Sequence, residues 1–271
     1  MNKFFFDGKI TDSISDVNVL NRGFKYNDSF FETIHVSNGK VFNIKNHLYR
    51  IKKAKDILKF NFKYNDNQLT KIFNDLISVN NLTNGVLRLY VFRNSGGQYL
   101  PNNNNTSLII NSNHLNCSFK INTPKKLCVY RAEFKSNNLL SNIKANSIIS
   151  VLSSIHASEM NFDSAILLNN NNKIIETSNS NIFFVINHKI ITPPVKDGCI
   201  DGTMRKLLMS LFDIEEKSIS LNIFKEIDEV FISNSISGVI PIKKIDHIDY
   251  HNFSYCNNIQ KKIINLSLDS Q

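Results

Sequence analysis

A single lysine stands at the start of a long, mostly apolar stretch of this chain. The stretch SNIKANSIISVLSSIHASEM covers residues 141–160, and Lys144 is its first charged residue. The residues after it read as a mostly apolar helix that we expect to be buried, with Lys144 at its mouth. A lysine beside a helix start lacks the favourable interaction with the helix dipole that it has at the other end. In apolar surroundings its amine acts as a nucleophile or a Schiff-base partner. The ordinary alternative is a solvent-exposed lysine, so the interpretation depends on partners elsewhere in the chain.

Two further places offer hydrogen bonds to a bound group. Glu176 lies in the strand-like sequence KIIETS, where alternation places it on the face opposite Ile175 and Thr177. Its carboxylate would suit a protonated ring nitrogen. Gly202 precedes a predicted helix whose first backbone N–H groups form an anion site, and the Thr203 hydroxyl adds a donor.

A third candidate is Arg50, which lies beside the apolar stripe of a predicted helix and can reach inward to a phosphate. Each candidate has an ordinary alternative: an outward-facing strand glutamate, a helix cap, and an arginine that extends to solvent. Together, an amine, a carboxylate, a helix start and an arginine are what pyridoxal 5′-phosphate requires of a protein.

The composition is that of a soluble globular protein. Of 271 residues, 42% are hydrophobic and 20% are charged, and the longest apolar runs are too short to span a bilayer. The N-terminal sequence MNKFFFDGKI does not fit a signal peptide, because Asp7 and Gly8 follow the apolar residues at once. We therefore expect a cytoplasmic protein with no membrane partner.

The net charge of +9 is compatible with a nucleic-acid partner or with an anionic small substrate. The lysines are spread along the chain without an aromatic-interleaved basic run, so we expect no nucleic-acid partner. The four cysteines form no CxxC pair, which predicts reduced thiols and no metal site. They are Cys117, Cys128, Cys199 and Cys256.

Hydrophobic periodicity predicts strands and helices in the first part of the chain. Residues 30–36 and 40–44 read as a β-hairpin, because Asn38-Gly39 lies between them. Helices are predicted over 44–58 and 67–79. Strands follow at 85–93 and 106–112.

The second part reads as a strand, the loop and helix of Lys144, and a strand-rich meander. A helix is predicted to begin near Gly202, and another spans about 257–267. We expect an α+β protein of two domains (an α/β two-domain arrangement). These are an α/β domain over 1–113, a linker over 114–123, and a C-terminal domain over 124–271 that carries Lys144.

Five blocks of the chain resemble the class IV aminotransferases, the fold type IV pyridoxal-phosphate enzymes, in the family's order and spacing. The resemblance implies that architecture, with a smaller N-terminal domain and a larger, strand-rich C-terminal domain. The blocks are NRGFKYNDSFFETIHVSNGKVFNIKNHLYRI (21–51), IKANSIISVLSSIHASEMNFDSAILLN (143–169), IIETSNSNIFFV (174–185), ITPPVKDGCIDGTMRKLL (191–208) and DEVFISNSISGVIPI (228–242).

The resemblance also implies roles for single residues. Lys144 matches the catalytic Schiff-base lysine, Glu176 the carboxylate that keeps the cofactor's ring nitrogen protonated, and Arg50 the phosphate-binding arginine. Thr203 and Met204 match two residues whose backbone amides bind the phosphate. The family usually has threonine at the second place, so Met204 departs from the pattern.

A smaller departure concerns Asn27, which stands where the family often has glycine. Asn tolerates positive φ better than most residues. The family is normally a homodimer, and the resemblance therefore implies a homodimer with its active site near the subunit interface.

The specific reaction depends on the substrate side of the site. Branched-chain aminotransferases typically carry a tyrosine where this chain has Ile149, and D-amino-acid aminotransferases carry arginine and histidine where it has Gln98 and Leu100. The third pattern, 4-amino-4-deoxychorismate lyase, fits in part, through GVLRLYVFRNSGG, GTMR and the aliphatic residue at 149, although that enzyme also tends to carry an arginine at the place of Gln98.

We therefore favour a lyase-like β-elimination that releases pyruvate and 4-aminobenzoate. The alternative is an amino-acid aminotransferase of the branched-chain or D-amino-acid type with a 2-oxo acid acceptor. In either case the partner is a small amino substrate. Its predicted contacts are Phe31, Arg93, Gln98 and Asn234.

Overall fold

The computed structural model describes residues 2–13, 17–18 and 20–269. The chain forms two compact units. The first contains the described residues up to Ser118, the segment Ile143–Ala145 and the described residues from Ser267 onward. The second contains Phe119–Asn142 and Asn146–Leu266.

The first unit is an antiparallel sheet with helices. Its described strands pair in the order β2-β1-β6-β5-β3-β4. The elements are β1 Phe4–Phe6, β2 Lys9–Thr11, α1 Arg22–Tyr26, β3 Ser29–Ser37, β4 Lys40–Val41, α2 Ile44–Ile57, α3 Asp66–Val79, β5 Gly85–Arg93 and β6 Thr106–His114.

The local sequence explains these elements. Asn38 and Gly39 both have positive φ (50° and 73°), as a tight hairpin turn between β3 and β4 requires. Helix α3 begins with a capping box in which Asn65 and Gln68 satisfy each other's backbone N–H groups. The apolar stripes of α2 and α3 join the inward-facing residues of β3, β5 and β6 in one core. The hairpin, both helices and both strands predicted for this part of the chain are present.

The second unit is built on a larger mixed sheet. Within the described residues its strands follow the order β12-β11-β10-β14-β15-β7-β8-β9-β13, and β16 pairs with β15. The elements are β7 Lys125–Val129, α4 Ile148–Glu159, β8 Ser164–Leu168, β9 Lys173–Thr177, β10 Asn181–Ile186, β11 Lys189–Thr192, α5 Thr203–Leu211, β12 Ile214–Glu216, β13 Ile219–Ser220, β14 Glu229–Asn234, β15 Gly238–Ile245, β16 Ile248–Asp249 and α6 Ser254–Asp269, of which residues to Leu266 belong to this unit.

The central strands of this sheet are buried on both faces. Every residue of β8 is buried, and so are the first five residues of β10. Phe183 and Phe231 lie opposite each other on β10 and β14, with ring centroids 4.9 Å apart and nearly parallel planes. Two-sided burial explains the near-continuous apolar runs of this part of the sequence.

The segment around Lys144 differs from the sequence prediction. Helix α4 begins at Ile148, so Lys144 lies four residues ahead of it in a turn rather than at its mouth. The helix also does not bury its apolar side chains as predicted: Ser153 and Ala157 face inward. A stripe of large residues faces outward, with exposed fractions of 44–57%. These residues are Ile148, Val151, Leu152 and Ile155.

The division of the chain also differs from the simple predicted boundary in one respect. Residues Ile143–Ala145 pack with the first unit, whereas the prediction assigns Lys144 to the C-terminal domain. The N–H of Phe31 on β3 donates to the carbonyl of Lys144 over 3.1 Å. The Asn27 side-chain amide donates to the carbonyl of Ala145 over 3.0 Å. Backbone contacts thus tie this short segment to β3.

Among the described residues, no helix has the length and apolarity needed to cross a membrane.

Candidate active site

The amine of Lys144 lies over an aromatic ring. Its Nζ is 4.4 Å from the ring centroid of Phe31, and the lysine is half-buried. The favourable interaction of a cation with a ring face orients the amine. Asn27, which ends α1, has φ 56°, so the positive φ that its sequence position suggested is present. The side-chain amide of Asn27 and the N–H of Phe31 donate to the carbonyls of Ala145 and Lys144. These two bonds fix the backbone that carries the amine.

A buried charge cluster lies in the same unit. Arg50 donates from Nε to Oε1 of Glu32 over 2.6 Å and from Nη2 to Oε2 over 2.8 Å. His47 Nδ1 donates to Oε2 over 2.9 Å. All three residues are at most 4% exposed. The predicted phosphate-binding arginine therefore faces inward, and Glu32 holds its guanidinium.

The protonation states in this cluster follow from its contacts. Burial alone would raise the pKa of Glu32, but the charge and hydrogen bonds of Arg50 and His47 hold it well below its usual value. Burial lowers the pKa of His47 despite its bond to Glu32, and the positive charges of Arg50 and Lys144 lower it further. His47 is thus a neutral imidazole that donates from Nδ1, and Lys144 lies close enough to affect it.

Arg93, a predicted substrate contact, is bound within the first unit. Its Nε donates to Oδ2 of Asp28 over 2.8 Å, Nη2 donates to the Leu58 carbonyl over 2.8 Å, and Nη1 donates to Asn104. Arg22 donates from Nε to the same Asp28 oxygen over 2.8 Å. One carboxylate oxygen therefore joins two arginines.

Arg22 holds the loop that follows β5. Arg22 donates to the carbonyls of Gly96, Gln98 and Tyr99. The side chain of Gln98 is exposed. Gln98 therefore contributes its backbone to this network, and its side chain is available to a partner or a substrate.

Glu176 lies in the second unit and is 3% exposed. Its Oε1 accepts from Nζ of Lys135, and its Oε2 accepts from the N–H of Ile200 over 2.8 Å. The side chain is not the outward-facing strand glutamate of the ordinary alternative, because both faces of β9 are covered. A carboxylate has about four lone-pair positions, so Glu176 retains acceptor capacity for a ring N–H.

Helix α5 begins where the sequence predicts. Gly202 is its N-cap, and Thr203 and Met204, both 2% exposed, are its first two residues. The first N–H groups of a helix have no carbonyl partner within it. A Cβ at Gly202 would collide with Oδ1 of Asn181, whose Nδ2 donates to the Ile200 carbonyl over 2.9 Å. Glycine therefore allows the close approach of β10 to the helix start.

Asn234, the last predicted substrate contact, uses its amide locally. Its Nδ2 donates to Ser180 Oγ over 3.0 Å, and its Oδ1 accepts from the N–H groups of Ile236 and Ser237. These bonds shape the turn between β14 and β15.

Sequence reasoning missed four residues of these networks. Glu32 and His47 anchor Arg50, Asp28 joins two arginines, and Lys135 contacts Glu176. A signal existed for His47, since a spacing of three on a helix puts it on the face of Arg50. The pairs Glu32–Arg50, Asp28–Arg93 and Lys135–Glu176 are long-range contacts that no local pattern indicates.

A family model and several known proteins match this chain. The family model described as amino-transferase class IV matches residues 29–245, more than half of the chain. The chain belongs to this family. The class IV aminotransferases are pyridoxal-phosphate enzymes, so the predicted family, enzyme class and cofactor are confirmed.

Two relatives in sequence carry different names. A branched-chain-amino-acid aminotransferase-like protein 2 of Arabidopsis thaliana is 29% identical over 86% of this chain, which spans only 44% of that protein's length. A D-alanine aminotransferase of Staphylococcus haemolyticus is 24% identical, with 91% of this chain and 90% of that protein covered.

Two solved structures share the fold of this class IV family member. The branched-chain aminotransferase of Thermoproteus uzoniensis superposes with a TM-score of 0.90 at 22% identity, covering 99% of this chain and 95% of its own. A putative 4-amino-4-deoxychorismate lyase of Legionella pneumophila has a TM-score of 0.86 at 22% identity, with 96% and 97% covered. The α+β, fold type IV architecture is therefore confirmed.

Proposed function

We propose that this class IV family member removes the proton from Cα of a primary amino substrate, and that its reaction is the lyase-like β-elimination of 4-amino-4-deoxychorismate. The observation that carries the proposal is the position of Lys144. Its amine is held over the Phe31 ring, and it acts electrostatically on His47 of the buried Arg50 cluster. An oriented amine beside a preorganised cationic group is suited to hold a phosphorylated aldehyde.

The residues present fit pyridoxal phosphate. Lys144 supplies the amine that holds it, and Arg50 supplies a charged donor for its phosphate. Thr203 and Met204 add the N–H groups of a helix start, and Glu176 has acceptor capacity for the ring nitrogen. The cofactor, when bound, supplies an electron sink for the electron pair left at Cα.

The proton is handled by this chain's own groups. Nζ of Lys144, as a neutral amine, would take the proton from the substrate Cα. The Phe31 ring lies against Nζ, and Glu32 with His47 keeps the guanidinium of Arg50 in one orientation without adding a second cation at His47. These roles are part of the proposal and rest on the match of single residues to the family pattern.

The lyase assignment is supported by what the substrate side lacks. Ile149 replaces the tyrosine of the branched-chain pattern, and Gln98 and Leu100 replace the arginine and histidine of the D-amino-acid pattern. The alternative, an amino-acid aminotransferase, is supported by the names of the relatives in sequence. Both reactions begin with removal of the same proton, so the same residues serve either one.

A homodimer and a cytoplasmic location belong to the same proposal. The outward stripe of α4, from Ile148 to Ile155, exposes four large apolar side chains, which is the kind of patch that a second copy would cover. All four cysteines are free, as expected of a reducing compartment. The expected dimer would be checked by light scattering of the wild type and of Ile155→Lys.

The test of function uses the purified protein supplied with pyridoxal phosphate. Release of pyruvate from 4-amino-4-deoxychorismate supports the lyase. Conversion of the bound cofactor to its amine form by a branched-chain amino acid or D-alanine, reversed by a 2-oxo acid, supports the aminotransferase instead. Lys144→Ala should lose either activity by at least about 100-fold, the usual scale of a catalytic acid or base. The exposed Lys71→Ala variant is the control.

Two outcomes would contradict the proposal. A protein that takes up no visible chromophore after incubation with pyridoxal phosphate does not bind the cofactor. The second outcome comes from borohydride reduction of the loaded protein and mapping of the modified peptide. Modification at a lysine other than Lys144 would refute the assigned residue.

A further inference from the structure

We infer that Lys135 is a positioning residue that keeps the proton shared between Glu176 and the cofactor on the ring nitrogen. The inference rests on the proposed function and adds a residue that neither the family pattern nor the sequence analysis assigned. It acts through Glu176 and not on the substrate.

The geometry gives Lys135 two partners. Its Nζ donates to Oε1 of Glu176 and, over 3.1 Å, to the carbonyl of Ser141. The two charged side chains are only 14% and 4% exposed. The N–H of Lys135 itself donates to the Leu168 carbonyl at the end of β8 over 2.9 Å, which fixes the backbone from which the side chain extends.

The surrounding charges are already paired elsewhere. Arg205 donates to Glu216 and to the Pro193 carbonyl, and Asp201 lies 3.4 Å from Nζ of Lys206. Cys199 stays a thiol, because burial and the charge of Glu176 raise its pKa to about 12. Within the part of the chain that the structure describes, Lys135 is thus the cationic side chain that contacts the Glu176 carboxylate directly.

The effect of this contact follows from distance. A positive charge lowers the proton affinity of every nearby base, and it does so most for the base that it touches. Nζ of Lys135 contacts the Glu176 carboxylate itself, and not a ring nitrogen bound at the opposite side of that carboxylate. Its charge therefore stabilises the ionised carboxylate as the acceptor of a ring N–H. The shared proton stays on the ring nitrogen, where it is needed to strengthen the electron sink.

The second bond of Lys135 extends the role to the chain around Lys144. Ser141 is buried, its Oγ donates to the Ser136 carbonyl, and its carbonyl accepts from Lys135. Residue 141 precedes Lys144 by three positions in the chain. One ammonium group thus holds both the carboxylate and the segment that leads to the proposed catalytic lysine.

The test reads the proton directly. Wild type, Lys135→Met, Lys135→Arg and Glu176→Gln are loaded with pyridoxal phosphate labelled with ¹⁵N in its ring, and the ¹⁵N chemical shift is recorded. We expect a protonated nitrogen in wild type and in Lys135→Arg. The signal should move toward the neutral position in Lys135→Met and in Glu176→Gln. We expect kcat to fall roughly tenfold or more in Lys135→Met, with KM changed less, since each pKa unit of proton affinity is a factor of ten.

Lys125→Met is the matched control. Lys125 forms an ion pair with Asp163 over 2.8 Å in the same unit, but it is more exposed and its partner is a carboxylate other than Glu176. It should leave the ¹⁵N signal unchanged. A role for Lys135 in stability alone would lower the melting temperature of Lys135→Met without moving the signal.

Three outcomes overturn the inference. They are a neutral ring nitrogen in wild type, a protonated one in folded Lys135→Met, and loss of the wild-type signal in Lys135→Arg. If Lys135→Met does not fold, Lys135→Gln takes its place. If neither neutral variant folds while Lys135→Arg does, the role is structural and the inference fails. A failure of the proposed function is distinguishable, because it would appear as absence of bound cofactor in wild type.

Discussion

The guanidinium of Arg50 and the carboxylate of Glu32 form a two-pronged ion pair inside the first unit, with N···O distances of 2.6 and 2.8 Å. The pair fixes the plane of the guanidinium, and Nδ1 of His47 donates a further hydrogen bond to Oε2 of the same carboxylate. Such a paired arginine is preorganised, so less side-chain entropy is lost when it binds a phosphate.

Removing the charge of Glu32 tests the importance of this pair. Glu32→Gln leaves Arg50 buried without its counter-ion, which costs about 3–5 kcal/mol when a buried pair is broken. We expect a fall of that size in the free energy of unfolding, measured in urea without cofactor. The exposed pair Lys71–Asp75 gives the control, since Asp75→Asn should cost less than about 1 kcal/mol. Equal costs for the two variants would contradict the description of Glu32–Arg50 as a buried pair.

Acid sensitivity should depend on His35. Burial lowers the pKa of His35 to about 4 from an ordinary value of 6.5, and His47, once it is protonated at low pH, adds a smaller effect in the same direction. Between these values the unfolded chain binds more protons than the folded one, so stability falls as the pH falls from 6.5 to 4. The loss approaches about 3 kcal/mol at pH 4 and below. Unfolding curves of wild type and His35→Gln across this range should differ in slope; parallel curves would refute the assignment.

The start of helix α5 should not accept a side chain at its N-cap. Gly202→Ala introduces a Cβ against Oδ1 of Asn181, although its φ of −66° is open to any residue. Overpacking of this kind costs about 1–3 kcal/mol. We expect weaker binding of pyridoxal phosphate, measured by fluorescence titration. Adding Asn181→Ala removes the collision and should restore part of the affinity. No recovery in the double variant would mean that the glycine matters for another reason.

Asp28 should control the loop after β5. Asp28→Asn weakens its bonds to Arg22 and Arg93, and Arg22 holds that loop through the backbone carbonyls of Gly96, Gln98 and Tyr99. If Gln98 contacts substrate as proposed, KM should rise several-fold while the affinity for the cofactor stays near that of wild type. Hydrogen exchange of residues 94–101 should become faster. An unchanged KM together with faster exchange would separate the loop from substrate binding.

Much of the fold could be predicted because its signals are local. Asn38-Gly39 indicated the hairpin, and the spacing of apolar residues indicated α2 and α3 to within a residue or two. The order of the family blocks indicated the architecture. The prediction for α4 was wrong in its start and in its burial, because apolar periodicity does not say whether a stripe meets the core of its own chain.

The candidate site was also predictable in part from the sequence. The sequence by itself determined the residue types: an amine at Lys144, a carboxylate at Glu176, an arginine at Arg50 and a glycine-led helix start at Gly202. Only the tertiary structure decided their partners, since Glu32, Asp28 and Lys135 lie 18, 65 and 41 positions from Arg50, Arg93 and Glu176, the residues they contact. The physical reason is that a buried charge must be compensated where the folded chain brings a partner. That choice depends on strand order and packing, which local periodicity does not contain.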